Sequence, residues 1–198
     1  MNSGCKMNIC VFSGSSAATS AELLHMAERI GAMIAARQMG MIYGGGSTGM
    51  MGASASGAMS HGGTVHGIIP RFLQNLEVAN EEISQLTITE NMHQRKQMMY
   101  EEADAFIVLP GGFGTMEEMI EVLTWCQLKV INKPIYIFNP DGYWNHMLAM
   151  FDHAAKSGFI RPQHSSLVKP LSSLTDIADA LDQLMAKTNQ TQNPISNL

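Results

Sequence analysis

Ala105-Phe106-Ile107-Val108-Leu109-Pro110-Gly111-Gly112-Phe113-Gly114-Thr115 is the stretch of sequence that most clearly indicates the fold. Its first five residues are continuously apolar, which is typical of a short buried strand. Beyond the glycines, apolar side chains recur at helical spacing from Met119 to Cys126. A buried strand that passes through a tight turn into an amphipathic helix is the repeating unit of an α/β protein with a parallel sheet.

The glycine-rich turn also predicts a binding site. Gly111, Gly112 and Gly114 have no side chains to keep a ligand from the backbone, and glycine tolerates positive φ. The first amides of a helix lack internal partners and attract a phosphate or a carboxylate. Glu118 follows one turn later, where a carboxylate suits another task, such as holding a sugar hydroxyl or acting on a bond. The alternative is a capping box, in which Thr115 and Glu118 only satisfy the free amides.

Two further glycine-rich turns follow predicted strands. Ser13-Gly14-Ser15-Ser16 comes after the first strand, and Gly44-Gly45-Gly46 comes after the second. Open parallel sheets bind ligands at the carboxyl ends of their strands, so the three turns predict one crevice for a phosphate-bearing, nucleotide-sized ligand. The run that begins at Gly44 also fits the dinucleotide pattern. However, the next strand ends in Pro70-Arg71 and not in a ribose-binding acid, so NAD is not expected.

Met92-His93-Gln94-Arg95-Lys96 opens a predicted helix that runs to about Ala103. Because this helix leads directly into the strand that begins at Ala105, we expect its first turn to lie over the same crevice. The planar guanidinium of Arg95 suits a phosphate or a carboxylate. For Lys96 taken alone, a solvated basic corner is the favoured interpretation.

Together these motifs resemble the LONELY GUY family of cytokinin riboside 5′-monophosphate phosphoribohydrolases, which are often mislabelled lysine decarboxylases. The segment from Pro110 to Glu118 matches the family signature Pro-Gly-Gly-x-Gly-Thr-x-x-Glu, and residues 92–96 match its Arg-Lys motif. The likeness extends from Ile9 to about Leu184. It implies cleavage of the N-glycosidic bond of an N6-modified AMP, which releases the free base and ribose 5-phosphate.

The resemblance also implies the roles of individual residues. Arg95 and Glu118 match the family's catalytic pair, and Glu121, one turn beyond Glu118, is placed to hold ribose hydroxyls. The other predicted nucleotide-binding residues are Gly14, Ser15, Gly44, Gly45, Gly46, Glu77, Lys96, Gly111, Gly112, Phe113, Gly114, Thr115 and Thr124. The sequence leaves open whether Arg95 holds Glu118, binds the phosphate or stabilises the departing base. Departures from the family pattern in the first turn and in residues 76–82 leave the preferred base open.

The chemistry of these residues fits such a reaction. Cleavage of an N-glycosidic bond passes through an oxocarbenium-like sugar, which a carboxylate stabilises. We expect Glu118 to be ionised, because amides at its helix N-terminus favour the charged form. We expect neither a metal nor an organic cofactor, since the histidines and cysteines lack metal-ligand spacing. The alternatives are a non-catalytic nucleotide-binding or carrier protein of the same fold, and a pyridoxal phosphate decarboxylase, for which no lysine has a suitable setting.

Length, charge and periodicity set the remaining expectations. The 198 residues predict one Rossmann-like domain with an open, doubly wound parallel sheet over residues 1–187, and a flexible tail over residues 188–198. A net charge of −5 argues against nucleic-acid binding. No apolar run approaches membrane length and no signal-peptide core is present, which predicts a cytoplasmic protein without membrane contact. The helix after the glycines is apolar on more than one face, so we expect a homodimer, as in the family.

Overall fold

The structure is a computed structural model that describes residues 7–192, with side chains up to residue 187. Seven strands in this part of the chain form one sheet. They are β1 (Asn8–Phe12), β2 (Gly40–Tyr43), β3 (Thr64–Pro70), β4 (Gln85–Thr89), β5 (Ala105–Val108), β6 (Ile135–Phe138) and β7 (Val168–Leu171). Their spatial order is β4-β3-β2-β1-β5-β6-β7, and every neighbouring pair is parallel. The predicted open parallel sheet is confirmed.

The direction of the winding reverses between β1 and β5. From β1 the chain adds β2, β3 and β4 on one side, and from β5 it adds β6 and β7 on the other. Val11 of β1 lies level with Tyr43 of β2 and with Ile107 of β5. The turns that follow these three strands therefore begin at one edge of the sheet, where folds of this type bind ligands.

Within the described residues, six α-helices cover the two faces of the sheet. They are α1 (Ala21–Ala36), α2 (Gly49–Ser60), α3 (Met92–Glu102), α4 (Phe113–Gln127), α5 (Asn145–Lys156) and α6 (Leu174–Gln192). Buried side chains of α1, α2 and α6 share one apolar core with the sheet. Side chains of α3, α4 and α5 pack on the opposite face. Burial of the sheet on both sides explains why its central strands are continuously apolar.

Helix α3, which carries the Arg-Lys motif, is fixed at both ends. At its start the Asn91 side chain accepts a hydrogen bond from the Gln94 N–H over 3.0 Å. At its end the Lys133 ammonium donates to the Tyr100 carbonyl over 2.6 Å. These two contacts satisfy groups that a helix terminus leaves unpaired, and they set the position of the motif over the sheet.

The structure differs from the sequence-based expectations at the edges of the fold. The outermost strands β4 and β7 were not expected, because each is short and half exposed and lacks a clear apolar pattern. Helix α6 continues to Gln192, although the sequence predicted its end near Lys187. The prediction of a tail therefore applies at most to residues 193–198, which lie outside the described residues. Within residues 7–192, no helix is long and apolar enough to cross a bilayer.

Candidate active site

The three glycine-rich turns pack against one another at the carboxyl edge of the sheet. The Gly14 N–H donates a hydrogen bond to the Pro110 carbonyl over 3.0 Å, and the Thr48 hydroxyl donates to the Ser15 carbonyl over 2.7 Å. Gly49 has a φ of +62°, and a Cβ at this position would lie 2.6 Å from the Ser15 carbonyl carbon. Glycine at position 49 is therefore needed for this close approach. The predicted convergence of the three turns is confirmed.

The turn before α4 exposes the start of the helix. Gly112 is the N-cap residue and makes no side-chain cap, so Thr115 is the third residue of the helix and Glu118 the sixth. The alternative interpretation of Thr115 and Glu118 as a capping box is therefore wrong. Within residues 7–192, the N–H groups of Phe113, Gly114 and Thr115 donate no hydrogen bond, while the Met116 N–H donates to Gly112. These three free amides form the predicted anion-binding end of the helix.

The glycines of this turn have different surroundings. A Cβ at Gly111 would lie 2.1 Å from the Thr115 hydroxyl, so packing leaves no room for a side chain at this position. The Gly111 carbonyl accepts a hydrogen bond from the Tyr143 hydroxyl over 2.8 Å. A Cβ at Gly112 or Gly114 would meet nothing within 4 Å. Phe113 between them is 92% exposed. The chain is therefore uncrowded around Gly112 and Gly114, next to the free amides, which suits the approach of a ligand.

Arg95 lies between two carboxylates. Its Nη1 is 3.6 Å from Oε2 of Glu77, and its Nη2 is 3.6 Å from Oε1 of Glu118. Only 3% of Arg95 is exposed. Gly44 makes room for it, because a Cβ there would lie 2.1 Å from Nη2 of the arginine. The structure thus brings together four residues that the sequence placed in the site, namely Gly44, Glu77, Arg95 and Glu118.

The Glu118 carboxyl group has an unusually high pKa. Burial raises the pKa of this carboxyl group to about 7, and the neighbouring Arg95 only partly opposes the rise. The expectation that Glu118 is ionised holds only in part, because the side chain lies beyond the first turn, where the effect of the helix terminus fades and burial opposes the charged form. Near neutral pH both the protonated and the ionised forms of Glu118 are populated.

Lys96 joins α3 to α4. Its ammonium forms ion pairs with Glu117 and, over 2.9 Å, with Glu121. The Tyr100 hydroxyl donates a hydrogen bond to the same Glu121 carboxylate over 2.5 Å. Burial lowers the pKa of Lys96, but the hydrogen bonds that its ammonium donates to both carboxylates outweigh this effect and leave the pKa raised. Lys96 is therefore a firmly charged residue held between the helices and not a solvated basic corner.

Sequence reasoning missed the parts played by Tyr100 and Glu117. Lys96 and Tyr100 lie one turn apart on α3, and Glu117 and Glu121 lie one turn apart on α4. This matching i, i+4 spacing on two helices was the available signal. The role of Tyr143 against Gly111 had no comparable signal, because it depends on the packing of a distant turn.

The Gly44–Gly46 turn is partly occupied by the chain itself. The Gly45 carbonyl accepts a hydrogen bond from the Asn80 N–H over 2.9 Å, and the Ser47 N–H donates to the Val78 carbonyl over 2.9 Å. The Gly46 N–H points to the Met51 sulfur at 3.3 Å. This turn therefore holds the segment around Glu77 in place more than it offers free amides to an anion.

Thr124 lies apart from the other predicted site residues. It is six residues beyond Glu118, which places it about 240° around the axis of α4. Its hydroxyl donates to the Ile120 carbonyl over 2.8 Å. It lines a cavity of about 460 Å³ between α4, α5 and β7, whose walls include Leu123, Leu148 and Phe151. Its role in nucleotide binding stays a prediction.

The sequence as a whole matches known proteins. The family model described as "Possible lysine decarboxylase" matches residues 51–183. Cytokinin riboside 5′-monophosphate phosphoribohydrolase LOG1 of Arabidopsis thaliana is 37% identical over 179 residues, which cover 90% of this chain and 84% of that protein. LOG7 of the same plant is 40% identical over 88% of this chain and 81% of its own length.

Solved structures share the architecture. The molybdenum cofactor carrier protein of Chlamydomonas reinhardtii superposes with a TM-score of 0.68 at 24% identity, over 91% of this chain and 99% of the carrier. The molybdenum cofactor binding protein of Rippkaea orientalis gives a TM-score of 0.66 at 21% identity, over 91% of this chain and 98% of that chain. Identities this low show a common fold only.

The part of the chain that matches these sequences contains the motifs that form the candidate site. The matched region of the family model includes the Arg-Lys motif of α3 and the whole glycine-rich turn before α4. The relatives match over more than four fifths of this chain. The chain therefore belongs to the family of possible lysine decarboxylases that includes the LONELY GUY phosphoribohydrolases.

Proposed function

We propose that this protein hydrolyses the N-glycosidic bond of an N6-modified adenosine 5′-monophosphate and releases the free base and ribose 5-phosphate. The observation that carries the proposal is the buried pair of Arg95 and Glu118 at an edge of the sheet where three glycine-rich turns converge. The curated relatives, at 37% to 42% identity, are named as phosphoribohydrolases of cytokinin riboside 5′-monophosphate. The proposed reaction gives a role to Glu118, to Arg95 and to the free amides at the start of α4.

In the reaction the bond between C1′ and the base nitrogen breaks, and water adds to C1′. The sugar passes through a state with positive charge at C1′. The water leaves its hydroxyl on C1′ and gives up one proton, which balances the proton that the departing base takes up. We assign to ionised Glu118 the stabilisation of that charge. The four carboxylates of the site outnumber its two cations, Arg95 and Lys96, so a developing positive charge is favoured there.

Arg95 and Lys96 are both engaged with carboxylates in the described structure. This favours a role for Arg95 in holding Glu118 over a role as phosphate ligand. We assign the 5′-phosphate to the free amides at the start of α4, where a Cβ at Gly112 or Gly114 would meet open space. A phosphate bound there supplies binding energy remote from the bond that breaks.

The proposed reaction is tested with N6-isopentenyl-AMP and the matching nucleoside, with free base and ribose 5-phosphate measured as products. We expect the nucleoside to be hydrolysed at least about a hundredfold more slowly, because it lacks the charge-assisted hydrogen bonds of the phosphate. AMP, GMP and CMP in the same assay define the preferred base. Equal rates for nucleotide and nucleoside would refute the role given to the α4 amides.

The alternative of a non-catalytic carrier has less support. The carrier proteins that share the fold are only 21% to 24% identical to this chain, so they show the architecture alone. A carrier would bind nucleotide without releasing base in the product assay. A paired, buried glutamate with a pKa near neutrality is also typical of a site that performs chemistry.

We further propose that the protein forms a homodimer through the outer face of α4 and α5. These two helices and the residues just after them expose several large apolar side chains, namely Phe113, Ile120, Leu128, Val130, Met150 and Phe159. Met119 and Val122 on the other side of α4 are fully buried in the protein's own core. A helix that is apolar on both sides is typical of one covered by a partner.

Light scattering at micromolar concentration is expected to give twice the mass of one chain. Ile120→Asp with Leu128→Asp should reduce the mass to that of a monomer, because the charges would be buried at the contact. Met185→Asp is the matched control, since Met185 is an exposed methionine on α6, across the sheet. A monomeric wild type, or a dimer that the paired aspartates leave intact, would contradict the proposed interface.

Two other expectations from the sequence remain proposals. We infer a cytoplasmic location, which is supported by three cysteines without the spacing of a disulfide framework. We also infer that nucleic acid is not a partner, since the net charge is −5 and the two basic residues of the site are already paired with carboxylates.

A further inference from the structure

Glu77 contacts Arg95 from a segment remote in sequence from both α3 and α4. It lies in the turns between β3 and β4, and its Oε2 is 3.6 Å from Nη1 of the arginine. That oxygen is buried and has no hydrogen-bond partner within the described residues. Glu118 contacts the other terminal nitrogen, Nη2, at the same distance. One guanidinium is therefore shared by two carboxylates.

The segment that carries Glu77 is held in a strained conformation. Val78, the next residue, has a φ of +49°, which is unfavourable for a β-branched side chain. The Val78 carbonyl accepts the Ser47 N–H, Ala79 forms a bridge with Gly46, and the Asn80 N–H donates to Gly45. Such strain persists only where the surroundings fix the backbone, and it is typical of functional sites. The position of Glu77 is thus set by the Gly44–Gly46 turn.

We propose that Glu77 is a positioning residue, which holds Arg95 between itself and Glu118 and thereby limits how far Arg95 neutralises Glu118. This inference rests on the proposed function, in which Glu118 faces the reacting sugar. It gives Glu77 a contact with Arg95 in addition to the nucleotide contact that the family resemblance implies, which stays a prediction.

The charges around Glu118 come from several elements. The ionisable groups that face it are Cys10 of β1, Glu77, Arg95, Lys96, Tyr100 and Glu117. Of the anionic groups, Glu77 is the one that also competes for Arg95. Removal of its charge leaves the whole guanidinium to Glu118 and removes a repulsion, and both effects favour the ionised form of Glu118. The pKa of Glu118 should then fall.

The test is a pH titration of the Glu118 carboxyl signal by NMR, on protein labelled at the glutamate side-chain carboxyl carbons. The signal is assigned by its loss in Glu118→Gln. We expect Glu77→Gln to lower the midpoint by about one pH unit, the scale of one charge at this separation. The acid limb of kcat/KM should move by the same amount. Glu81→Gln, at an exposed position on the same segment, is the matched control and should leave the midpoint unchanged.

Glu77→Asp is the second variant, since it keeps the charge but shortens the side chain by one methylene. It should lower the midpoint by a smaller amount, and it decides the question if Glu77→Gln does not fold. An unchanged midpoint with a raised KM would show that Glu77 acts on the substrate and would overturn the inference. Failure of the wild type to hydrolyse any nucleotide would refute the proposed function, while the titration would still decide the role of Glu77.

Discussion

Glu118→Gln is expected to lower the turnover of N6-isopentenyl-AMP by about two orders of magnitude or more, while the substrate still binds. Glutamine has the same shape as glutamate but cannot carry the negative charge that faces the developing oxocarbenium ion. Burial of Glu118 strengthens the effect, because a charge in a water-excluded site interacts more strongly than one in solvent. Steady-state kinetics with product detection measure the loss.

The catalytic role of Glu118 also predicts how kcat/KM depends on pH. Because the ionised form of Glu118 is required and its pKa is about 7, kcat/KM should rise with pH below 7 and level off above it. The substrate phosphate titrates near pH 6, so the comparison with Glu118→Gln isolates the contribution of the glutamate. The acid limb that belongs to Glu118 should be absent in that variant.

Two controls separate catalysis from folding in this experiment. Glu28→Gln removes an exposed carboxylate from α1, on the other face of the sheet, and should leave turnover unchanged. Thermal melts of Glu118→Gln should show no loss of stability, because the substitution removes a buried charge without changing volume. A well-folded Glu118→Gln enzyme with near-wild-type turnover would refute the catalytic role of Glu118.

Arg95→Ala is expected to have an effect of similar size, about a hundredfold on turnover, by a different route. It removes the partner that Glu77 and Glu118 share, so two carboxylates remain in the site without that counter-charge. Such an unpaired buried charge also costs about 3–5 kcal/mol of stability, so the melting temperature should fall. Kinetics and thermal melts on the same preparation record both effects.

The double variant tests whether Arg95 and Glu118 act as a unit. If Arg95 serves to hold Glu118, then Arg95→Ala with Glu118→Gln should be little slower than the slower single variant. The double variant should also be more stable than Arg95→Ala, since it leaves one unpaired carboxylate in the site and not two. Arg71→Ala is the matched control, because Arg71 is exposed and pairs with Glu90 at the surface, away from the site. Multiplicative losses in the double variant would show that the two residues act independently.

The central part of the fold was predictable from the sequence. Five of the strands are short and mostly apolar, namely β1, β2, β3, β5 and β6. Glycine-rich turns follow β1, β2 and β5, which border the crevice. Such strands are buried on both faces, so their composition alone distinguishes them. The edge strands β4 and β7 were missed, because a half-exposed strand has no continuous apolar run and its existence depends on a neighbour with which to pair.

The residue types of the site were also predictable, but their ionisation was not. The sequence placed Arg95 and Glu118 at one crevice and expected the helix terminus to keep Glu118 charged. The tertiary structure limits that expectation, because burial raises the pKa of Glu118 to about 7 and leaves part of it protonated near neutral pH. Burial depends on every element that packs over a side chain, and no local pattern reports it.

By itself the sequence determined the parallel sheet, the three glycine-rich turns and the family, because strand composition, turn chemistry and motif spacing are local properties of the chain. Only the tertiary structure decided which charges share a partner: Glu77 and Glu118 on Arg95, and Glu117 and Glu121 on Lys96. It also decided that Thr124 lies in a separate cavity. The physical reason is that electrostatic interactions depend on distance in space, and folding joins segments that are remote along the chain.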